Sequence, residues 1–347
     1  MEHDQVLRTH GYHPLRVKRI VQETADTRSF VLEVPAEFAD LFSYLPGQFC
    51  VFRAFIDGEE VARCYSMSSA PATDADLTVT VKRVPGGKMS NWLNDHVREG
   101  DMLDVMKPGG TFVTHDASRP VVGFCGGSGV TPVLSIAKSV LATTDRPVRM
   151  LYANRDAESV IFAAELQALR ATYGDRFELR EHLDSEGGYL TPDEVARFIG
   201  SELDADYYIC GPTPFMDLAE SSLQTAGVPA ERIAVERFAS SHDAIEDGAP
   251  EPGSITESIT LVVRRRKTTL DYRAGDTILS AARRGAVHTP FSCEAGACAS
   301  CMALVTEGTV HMRVNTALTP EEVAEGWVLT CQALPTSRTV TIEFEGL

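Results

Sequence analysis

Hydrophobic and polar positions follow three different patterns along the chain, and each pattern predicts one domain. Residues 1–115 consist mostly of strand patterns, of which the alternating stretch Leu77–Val84 is the clearest, and favour an all-β barrel. Residues 116–238 alternate apolar strands with helical repeats, which is typical of a parallel α/β sheet. Residues 258–347 return to short strands around one capped helix and predict a small sheet domain.

The middle domain carries glycines directly after two of its predicted strands. Pro120–Cys125 is a buried-strand pattern that runs into Gly126–Gly129 and then into a helix, with Thr131 as its predicted N-cap. The strand Asp206–Cys210 likewise ends in a glycine and a proline. Ligands of parallel α/β sheets bind beyond the carboxyl ends of strands, and glycines let the backbone approach a pyrophosphate there. A structural turn explains a single glycine loop equally well, so the prediction of a dinucleotide site depends on both loops together. The other elements predicted here are a strand at Val148–Asn154 and helices at Ala163–Tyr173 and Pro214–Ala226.

A polar segment separates the second and third domains. Residues 239–257 hold five acids, two prolines, two glycines and no lysine or arginine, and they show no apolar periodicity. This composition predicts a linker and places a domain boundary here.

Four cysteines near the C-terminus have the spacing of a plant-type [2Fe–2S] site. Three form the pattern C-x4-C-x2-C, and the fourth follows after 29 intervening residues. Most residues between the first three are small, which lets backbone N–H groups approach the sulfurs of a cluster. Zinc is the alternative, although zinc sites usually show two C-x2-C pairs or late histidines. The predicted cluster ligands are Cys293, Cys298, Cys301 and Cys331.

Residues 258–347 thus resemble a plant-type ferredoxin domain, and the resemblance implies an α+β (β-grasp) fold. The chain departs from that family at Glu294, where an arginine is frequent, and the change makes the rim of the cluster more acidic. The basic run Arg264–Lys267 lies between two predicted strands and is interpreted as a solvated hairpin turn.

Composition and charge exclude several classes of protein. Apolar residues make up 44% and charged residues 23% of the chain, and no apolar run is long enough to span a membrane. The net charge of −17 argues against nucleic acid and anionic lipid as partners. The N-terminus has no signal-peptide core, so we expect a cytoplasmic protein, and we expect a monomer.

Motifs in the first two domains resemble those of the ferredoxin–NADP reductase superfamily. Arg63–Ser66 matches its R-x-Y-S flavin motif, and Gly87–Ser90 matches its flavin-phosphate loop. Gly126–Pro132 matches its nicotinamide-side glycine loop, and Cys210–Pro212 matches its C-G-P turn. With the ferredoxin pattern, the whole chain resembles oxygenase reductases of the flavin-plus-[2Fe–2S] type. Several sequence segments look most like those of the reductases of ketosteroid 9α-hydroxylases. Pro46–Gln48 and Glu236–Phe238 also fit.

The resemblance implies three catalytic residues. Ser66 would hydrogen-bond near flavin N5, Cys210 would lie beside the nicotinamide ring, and Glu236 would act near N5. Without the family, Cys210 fits a buried core cysteine at a strand end, and Glu236 fits a surface salt bridge.

The resemblance also implies a set of cofactor-binding residues. Arg63 would pair with a flavin phosphate, since a guanidinium fork fits phosphate, and Tyr65 would offer its face to the isoalloxazine. Backbone N–H groups of Lys88–Ser90 would cradle phosphate. Phe238 would cover the second flavin face, with a plain core position as the alternative, and Arg155 follows a strand where ribose or 2′-phosphate is read. The residues implied are Arg63, Tyr65, Ser66, Gly87, Lys88, Met89, Ser90, Gly126, Gly127, Ser128, Gly129, Thr131, Arg155, Gly211, Pro212 and Phe238.

The implied function is a reductase that passes electrons from NADH through FAD and a [2Fe–2S] cluster to a partner oxygenase, such as a Rieske-type hydroxylase. A hybrid-cluster protein, a diiron epoxygenase or a quaternary-amine monooxygenase is the alternative acceptor. FMN is the alternative to FAD. NADPH is the alternative to NADH, because Arg155 favours NADPH whereas Asp156 and Glu158 favour NADH.

Overall fold

The computed structural model describes residues 12–114, 118–201, 203–238, 256–291, 296, 299–315 and 317–344, without the side chains of residues 59 and 60. They fall into two compact units, one within residues 11–238 and one within residues 239–347. The linker predicted at 239–257 lies outside the described residues except for its last two.

The first part of the larger unit is a six-stranded antiparallel sheet in the order β4-β3-β6-β1-β2-β5. An isolated bridge from Met67 to Val79 joins the end of β4 to β5, so that the two edge strands meet as in a barrel. Side chains such as Leu15, Phe30 and Phe52 fill its interior. The elements are β1 (Tyr12–Thr24), β2 (Thr27–Glu33), β3 (Phe49–Ile56), β4 (Glu59–Ser66), β5 (Leu77–Lys82), α1 (Lys88–His96) and β6 (Met102–Met106).

The second part of the larger unit is a five-stranded parallel sheet in the order β11-β10-β7-β8-β9. Helices cover both faces, and separate apolar clusters lie on the two sides. The chain runs outward from β7 in both directions, which places the switch point of this sheet between β7 and β10. The elements are β7 (Val121–Gly126), α2 (Val130–Thr143), β8 (Val148–Asn154), α3 (Ala163–Tyr173), β9 (Phe177–Leu183), α4 (Asp184–Gly187), α5 (Pro192–Ile199), β10 (Asp206–Cys210), α6 (Thr213–Ala226) and β11 (Ile233–Glu236).

The predicted strand at Val148–Asn154 and helix at Ala163–Tyr173 are confirmed, but the predicted N-cap of α2 is wrong. The glycine loop itself forms a 3-10 turn, and the helix begins directly after it with Gly129 in the capping position. The backbone N–H of Val130 is satisfied by carbonyls of the turn, so no side-chain cap is needed. Thr131 lies inside the helix, where its hydroxyl donates to the carbonyl of Ser128 at 3.0 Å.

The smaller unit is a mixed sheet in the order β13-β12-β18-β14-β16, in which β12 and β18 run parallel. Helix α7 packs Ile278, Ala281 and Ala282 into the apolar core of this sheet, and Thr277 caps it by accepting from Ser280 N at 3.1 Å. A mixed sheet covered by a helix is the α+β fold that was predicted. The elements are β12 (Ser258–Val263), β13 (Arg266–Asp271), α7 (Ile278–Arg284), β14 (Met302–Glu307), β15 (Val310–Met312), α8 (Pro320–Ala324), β16 (Trp327–Leu329), β17 (Ala333–Pro335) and β18 (Thr339–Phe344).

The basic run between the first two strands of this unit forms a hairpin, as predicted. Arg264 and Arg265 make the two-residue turn with φ of 51° and 64°, while Arg266 and Lys267 already belong to β13. Across the described part of the chain, no helix is both long and apolar enough to cross a membrane.

Candidate functional site

The two glycine-containing loops of the parallel sheet are packed against each other at the ends of β7 and β10. A Cβ atom added to Gly211 would lie 2.9 Å from Gly126 Cα, and one added to Gly126 would lie 2.7 Å from Pro212 Cδ. At Gly129 an added Cβ would overlap the carbonyl of Cys210. Only residues without a side chain allow this approach, so the contact explains why glycines stand here.

The structure thus brings together the two signals that were individually weak in the sequence. Both loops lie at the carboxyl edge of the sheet, on neighbouring strands, at its switch point. The hydroxyl of Tyr152 donates to the carbonyl of Gly127 at 3.1 Å and fixes the glycine loop from the adjacent strand β8. Gly127, Ser128 and Gly211 are partly exposed at this edge, and α2 begins there, which suits the phosphates of a dinucleotide.

Ser66 and Glu236 lie 170 positions apart in the sequence and meet in the structure. Ser66 stands at the end of β4, and its Oγ donates to Glu236 Oε2 at 3.0 Å. Glu236 ends β11 and lies in register with Cys210 on β10. The three residues predicted to be catalytic are therefore gathered where the barrel faces the carboxyl edge of the parallel sheet.

Burial sets the protonation of this group. Removal from water raises the pKa of Glu236 to about 8, although the Ser66 hydrogen bond opposes the shift. Burial also raises the pKa of Cys210 well above its ordinary value, and the neighbouring Glu236 carboxylate adds to that shift. At neutral pH the site therefore holds a thiol and a largely protonated carboxyl group that shares a hydrogen bond with a hydroxyl.

The predicted flavin residues lie on β4 and at the start of α1. Arg63 and Tyr65 stand two positions apart and share one face of β4, where the Tyr65 ring contacts Phe52 edge-on at 5.6 Å between centroids. Helix α1 begins at Lys88 after Gly87, which provides no side-chain cap. An uncapped helix start is suited to an anion, because first-turn N–H groups and the helix dipole both favour negative charge.

The other two predicted binding residues, Arg155 and Phe238, lie outside β4 and α1. The Arg155 guanidinium donates to Asp156 Oδ2 at 2.7 Å and holds the pKa of that carboxyl below its ordinary value. Asp156 also caps the turn that ends at Ser159, accepting from its N–H at 2.9 Å. Phe238 follows Glu236 by two residues and is 40% exposed, so its ring is available to a ligand rather than packed in a core.

Sequence reasoning missed Asn154 as a candidate binding residue. It ends β8 and is 4% exposed, and its side chain interacts with the Tyr152 hydroxyl without a hydrogen bond of normal geometry. The same hydroxyl bonds the glycine loop, so Asn154 is a candidate residue at the carboxyl edge of this sheet. The only sequence signal was its position at a strand end beside Arg155.

Two of the predicted cluster ligands are described, and their surroundings suit a cluster. Cys301 and Cys331 are both buried and belong to one apolar group of side chains. Thr330 binds the carbonyl of Cys301 through its N–H at 3.1 Å and its hydroxyl at 3.0 Å, which holds the two cysteine-bearing segments together. Gly296 has a φ of +74°, and a Cβ there would lie 2.8 Å from Val314 O, so the loop leaves room only for backbone.

The other two predicted ligands, Cys293 and Cys298, lie outside the described residues, as does Glu294. Cys50, Cys64, Cys125 and Cys210 are free thiols.

Family models match each part of the chain in the order that the sequence predicted. Residues 14–114 match the oxidoreductase FAD-binding domain, residues 124–221 the oxidoreductase NAD-binding domain, and residues 261–336 the 2Fe-2S iron-sulfur cluster binding domain. The predicted FAD, NAD and [2Fe–2S] cofactors are thereby confirmed at the level of these domains.

Curated relatives match almost from end to end. The ferredoxin reductase component of 3-ketosteroid-9-alpha-monooxygenase from Rhodococcus rhodochrous is 39% identical over 95% of this chain and 96% of the relative. The chain belongs to the family of ferredoxin reductase components of oxygenases. The corresponding component of Mycolicibacterium smegmatis is 40% identical over 95% of this chain and 96% of the relative. The glycine betaine monooxygenase reductase of Pseudomonas aeruginosa is 32% identical over 94% of this chain and 93% of the relative.

Solved structures share the fold of this chain. Phthalate dioxygenase reductase superposes with a TM-score of 0.63 at 23% identity, covering 96% of this chain and 98% of that one. An intact type IV self-sufficient cytochrome P450 monooxygenase gives a TM-score of 0.74 at 23% identity, covering 95% of this reductase and 41% of that chain. The predicted multidomain class, with a barrel, a parallel α/β sheet and a ferredoxin-type sheet, is confirmed.

Proposed function

We propose that this reductase takes hydride from NADH onto FAD and delivers single electrons through a [2Fe–2S] cluster to a terminal oxygenase. A nicotinamide gives up two electrons together as hydride, whereas a [2Fe–2S] cluster accepts one electron at a time. Flavin can accept a pair of electrons and release them singly, so it has to lie between the two. The observation that carries the proposal is the hydrogen-bonded pair Ser66–Glu236 beside Cys210, in a chain that matches oxygenase reductases over 95% of its length.

Each residue of this group has a distinct part in the proposal. Cys210 presents a neutral thiol to the nicotinamide ring, because burial keeps its proton on sulfur. Ser66 holds a hydroxyl near the flavin and is hydrogen-bonded to Glu236, whose pKa of about 8 lets it hold or release a proton near neutrality. The glycine loop Gly126–Gly129 and Asn154 would bind the dinucleotide.

Flavin binding is proposed for the β4 and α1 residues. Arg63 and the start of α1, from Gly87 to Ser90, would hold the phosphates, while Tyr65 and Phe238 would contact the ring system. The four cysteines 293, 298, 301 and 331 would bind the cluster, since Cys301 and Cys331 lie in one buried apolar group next to a glycine cradle.

The dinucleotide is proposed to be NADH. The Arg155 side chain is paired with Asp156, and the Glu158 carboxylate also acts on its charge, so the cation that would read a 2′-phosphate is already compensated. Negative charge at this position disfavours NADPH.

The acceptor is proposed to be an oxygenase, with a ketosteroid hydroxylase first because reductase components named for 3-ketosteroid-9-alpha-monooxygenase reach 39% and 40% identity. Relatives named for phenylacetyl-CoA epoxidase and glycine betaine monooxygenase, at 33% and 32%, make those oxygenases the second candidates. The monomeric state and cytoplasmic location stay predictions.

Reconstitution tests the acceptor directly. The purified holo-reductase is mixed with NADH, oxygen and one purified oxygenase of each class, and product is measured by mass spectrometry. We expect coupled product formation with the ketosteroid hydroxylase at a rate above that with the other two. Reduction of dyes by NADH without product from any of the three would refute an oxygenase-reductase function.

A further inference from the structure

Helix α2 connects the nicotinamide edge to the flavin barrel. Its first turn follows the glycine loop, and its middle contacts the barrel segment that comes directly after the flavin motif. Ser135 Oγ donates to the carbonyl of Ser69 at 2.6 Å, and Ser69 lies three residues after Ser66. Ile136 packs against the barrel at Gly47, where an added Cβ would lie 3.0 Å from Ile136 Cδ1.

One turn further along α2, the buried side chain of Lys138 forms an ion triad with two partly exposed carboxylates. Its ammonium lies 2.6 Å from Asp74 in the barrel and 2.6 Å from Glu165 at the start of α3. The lysine is 7% exposed, so these two carboxylates take the place of water around its ammonium group. Asp74 Oδ2 also accepts from Ala70 N at 2.7 Å, which folds the barrel loop around the same carboxylate.

The two ion pairs of this triad, here called its arms, connect different parts of the molecule. The arm to Asp74 joins the barrel to the nicotinamide domain, whereas the arm to Glu165 stays within the nicotinamide domain. Hydride transfer requires the reacting atoms within about 3–3.5 Å of each other, and a misplacement of about 1 Å can cost about 100-fold in rate. The barrel carries the flavin residues and α2 carries the glycine loop, so a fixed α2–barrel contact fixes that separation.

We propose that Lys138, through Asp74, is a positioning residue that sets the distance between the flavin motif and the nicotinamide loop for hydride transfer. This inference rests on the proposed function. Lys138 touches neither cofactor site and acts through the barrel loop that continues from Ser66.

Two isosteric variants separate the arms. Asp74→Asn keeps an acceptor for Ala70 N but removes the charge that binds Lys138 to the barrel, while Glu165→Gln removes the charge on the other arm. At saturating NADH we expect Asp74→Asn to slow flavin reduction in stopped-flow about tenfold or more, with the Kd for NADH changed less than about twofold. Glu165→Gln is expected to stay within about twofold of the unaltered protein.

A second measurement monitors the contact itself in the holo-protein. Hydrogen–deuterium exchange of the segment 67–74 should accelerate in Asp74→Asn and in Lys138→Met. Arg146→Met is the matched control, because Arg146 is also 7% exposed and pairs with Asp206 at 2.7 Å, away from the barrel. It should lower the melting temperature without changing exchange in that segment or the rate of flavin reduction.

The proposal is overturned if Asp74→Asn and Glu165→Gln slow flavin reduction equally, or if Asp74→Asn leaves the rate within twofold. It is also overturned if Arg146→Met slows the reaction as much as Lys138→Met does, since the effect is then general destabilisation. If NADH does not reduce the flavin of the unaltered protein, the proposed function is refuted. That outcome is distinct from a failure of the Lys138 proposal, which only the variants can show.

Discussion

Substitution of Gly129 by alanine tests the contact on which the nicotinamide site depends. Gly129 has φ of −63° and ψ of −8°, a conformation that alanine adopts readily, so backbone strain is no reason for glycine here. The reason is space: an added Cβ would lie 2.6 Å from Gly211 N and nearer still to the Cys210 carbonyl. Non-bonded carbon atoms normally approach to about 3.5 Å, so the two loops must separate by about 1 Å.

The expected cost follows from that displacement. Overpacking of this kind destabilises by about 1–3 kcal/mol, which for a unit of this size lowers Tm by about 2–12 °C. Gly129 is the N-cap of α2, a position where glycine is preferred to alanine, so alanine regains no stability there. The larger effect is on chemistry, because a shift of about 1 Å between Cys210 and the glycine loop should slow hydride transfer about 100-fold.

Two assays and one control measure these effects. Anaerobic stopped-flow mixing with NADH gives the rate of flavin bleaching, and thermal denaturation gives Tm. Gly187→Ala is the control, since an added Cβ there meets nothing within 4 Å. If Gly129→Ala bleaches the flavin within twofold of the Gly187→Ala control and melts at the same temperature, the contact between the two loops is wrong.

Three further predictions concern the partly buried Glu236 carboxyl, the cluster and the dinucleotide. Burial raises the pKa of Glu236 from its ordinary value of 4.5 to about 8, so the folded protein should lose stability as the pH rises between these two values. Glu236→Gln should therefore flatten the dependence of Tm on pH between about pH 5 and about pH 9. Parallel Tm curves for the variant and the unaltered protein would contradict the assignment. Cys331→Ser should remove the visible absorption of the cluster while flavin bleaching by NADH continues, and an unchanged spectrum would exclude this ligand. Asp156→Ser should release Arg155 and raise the kcat/KM ratio of NADPH to NADH about tenfold, whereas an unchanged ratio would assign the preference elsewhere.

Elements that depend on local pattern could be predicted from the sequence. Val148–Asn154 and Ala163–Tyr173 were predicted with their observed bounds, because apolar periodicity and flanking polar residues define them locally. The N-cap of α2 was mispredicted at Thr131, since the preceding glycine turn satisfies the helix start with backbone alone. Helix α1 was overlooked within the strand-rich first domain, where a loop motif hid its short amphipathic pattern.

The candidate site could be predicted as a set of residues but not as an arrangement. Family motifs indicated Ser66 and Glu236 separately, but their hydrogen bond joins positions 170 apart, and only the packed fold determines it. The positioning role of Lys138 had no sequence signal, because a lysine on a helix normally faces solvent. Its burial follows from the way the barrel loop at Asp74 meets α2.

Anaerobic titration of the purified protein with NADH, followed by visible absorption and electron paramagnetic resonance, tests the central claim most directly. The account predicts that flavin absorption bleaches and that the paramagnetic signal of a reduced [2Fe–2S] cluster then appears. Flavin bleaching with no paramagnetic cluster signal would contradict it.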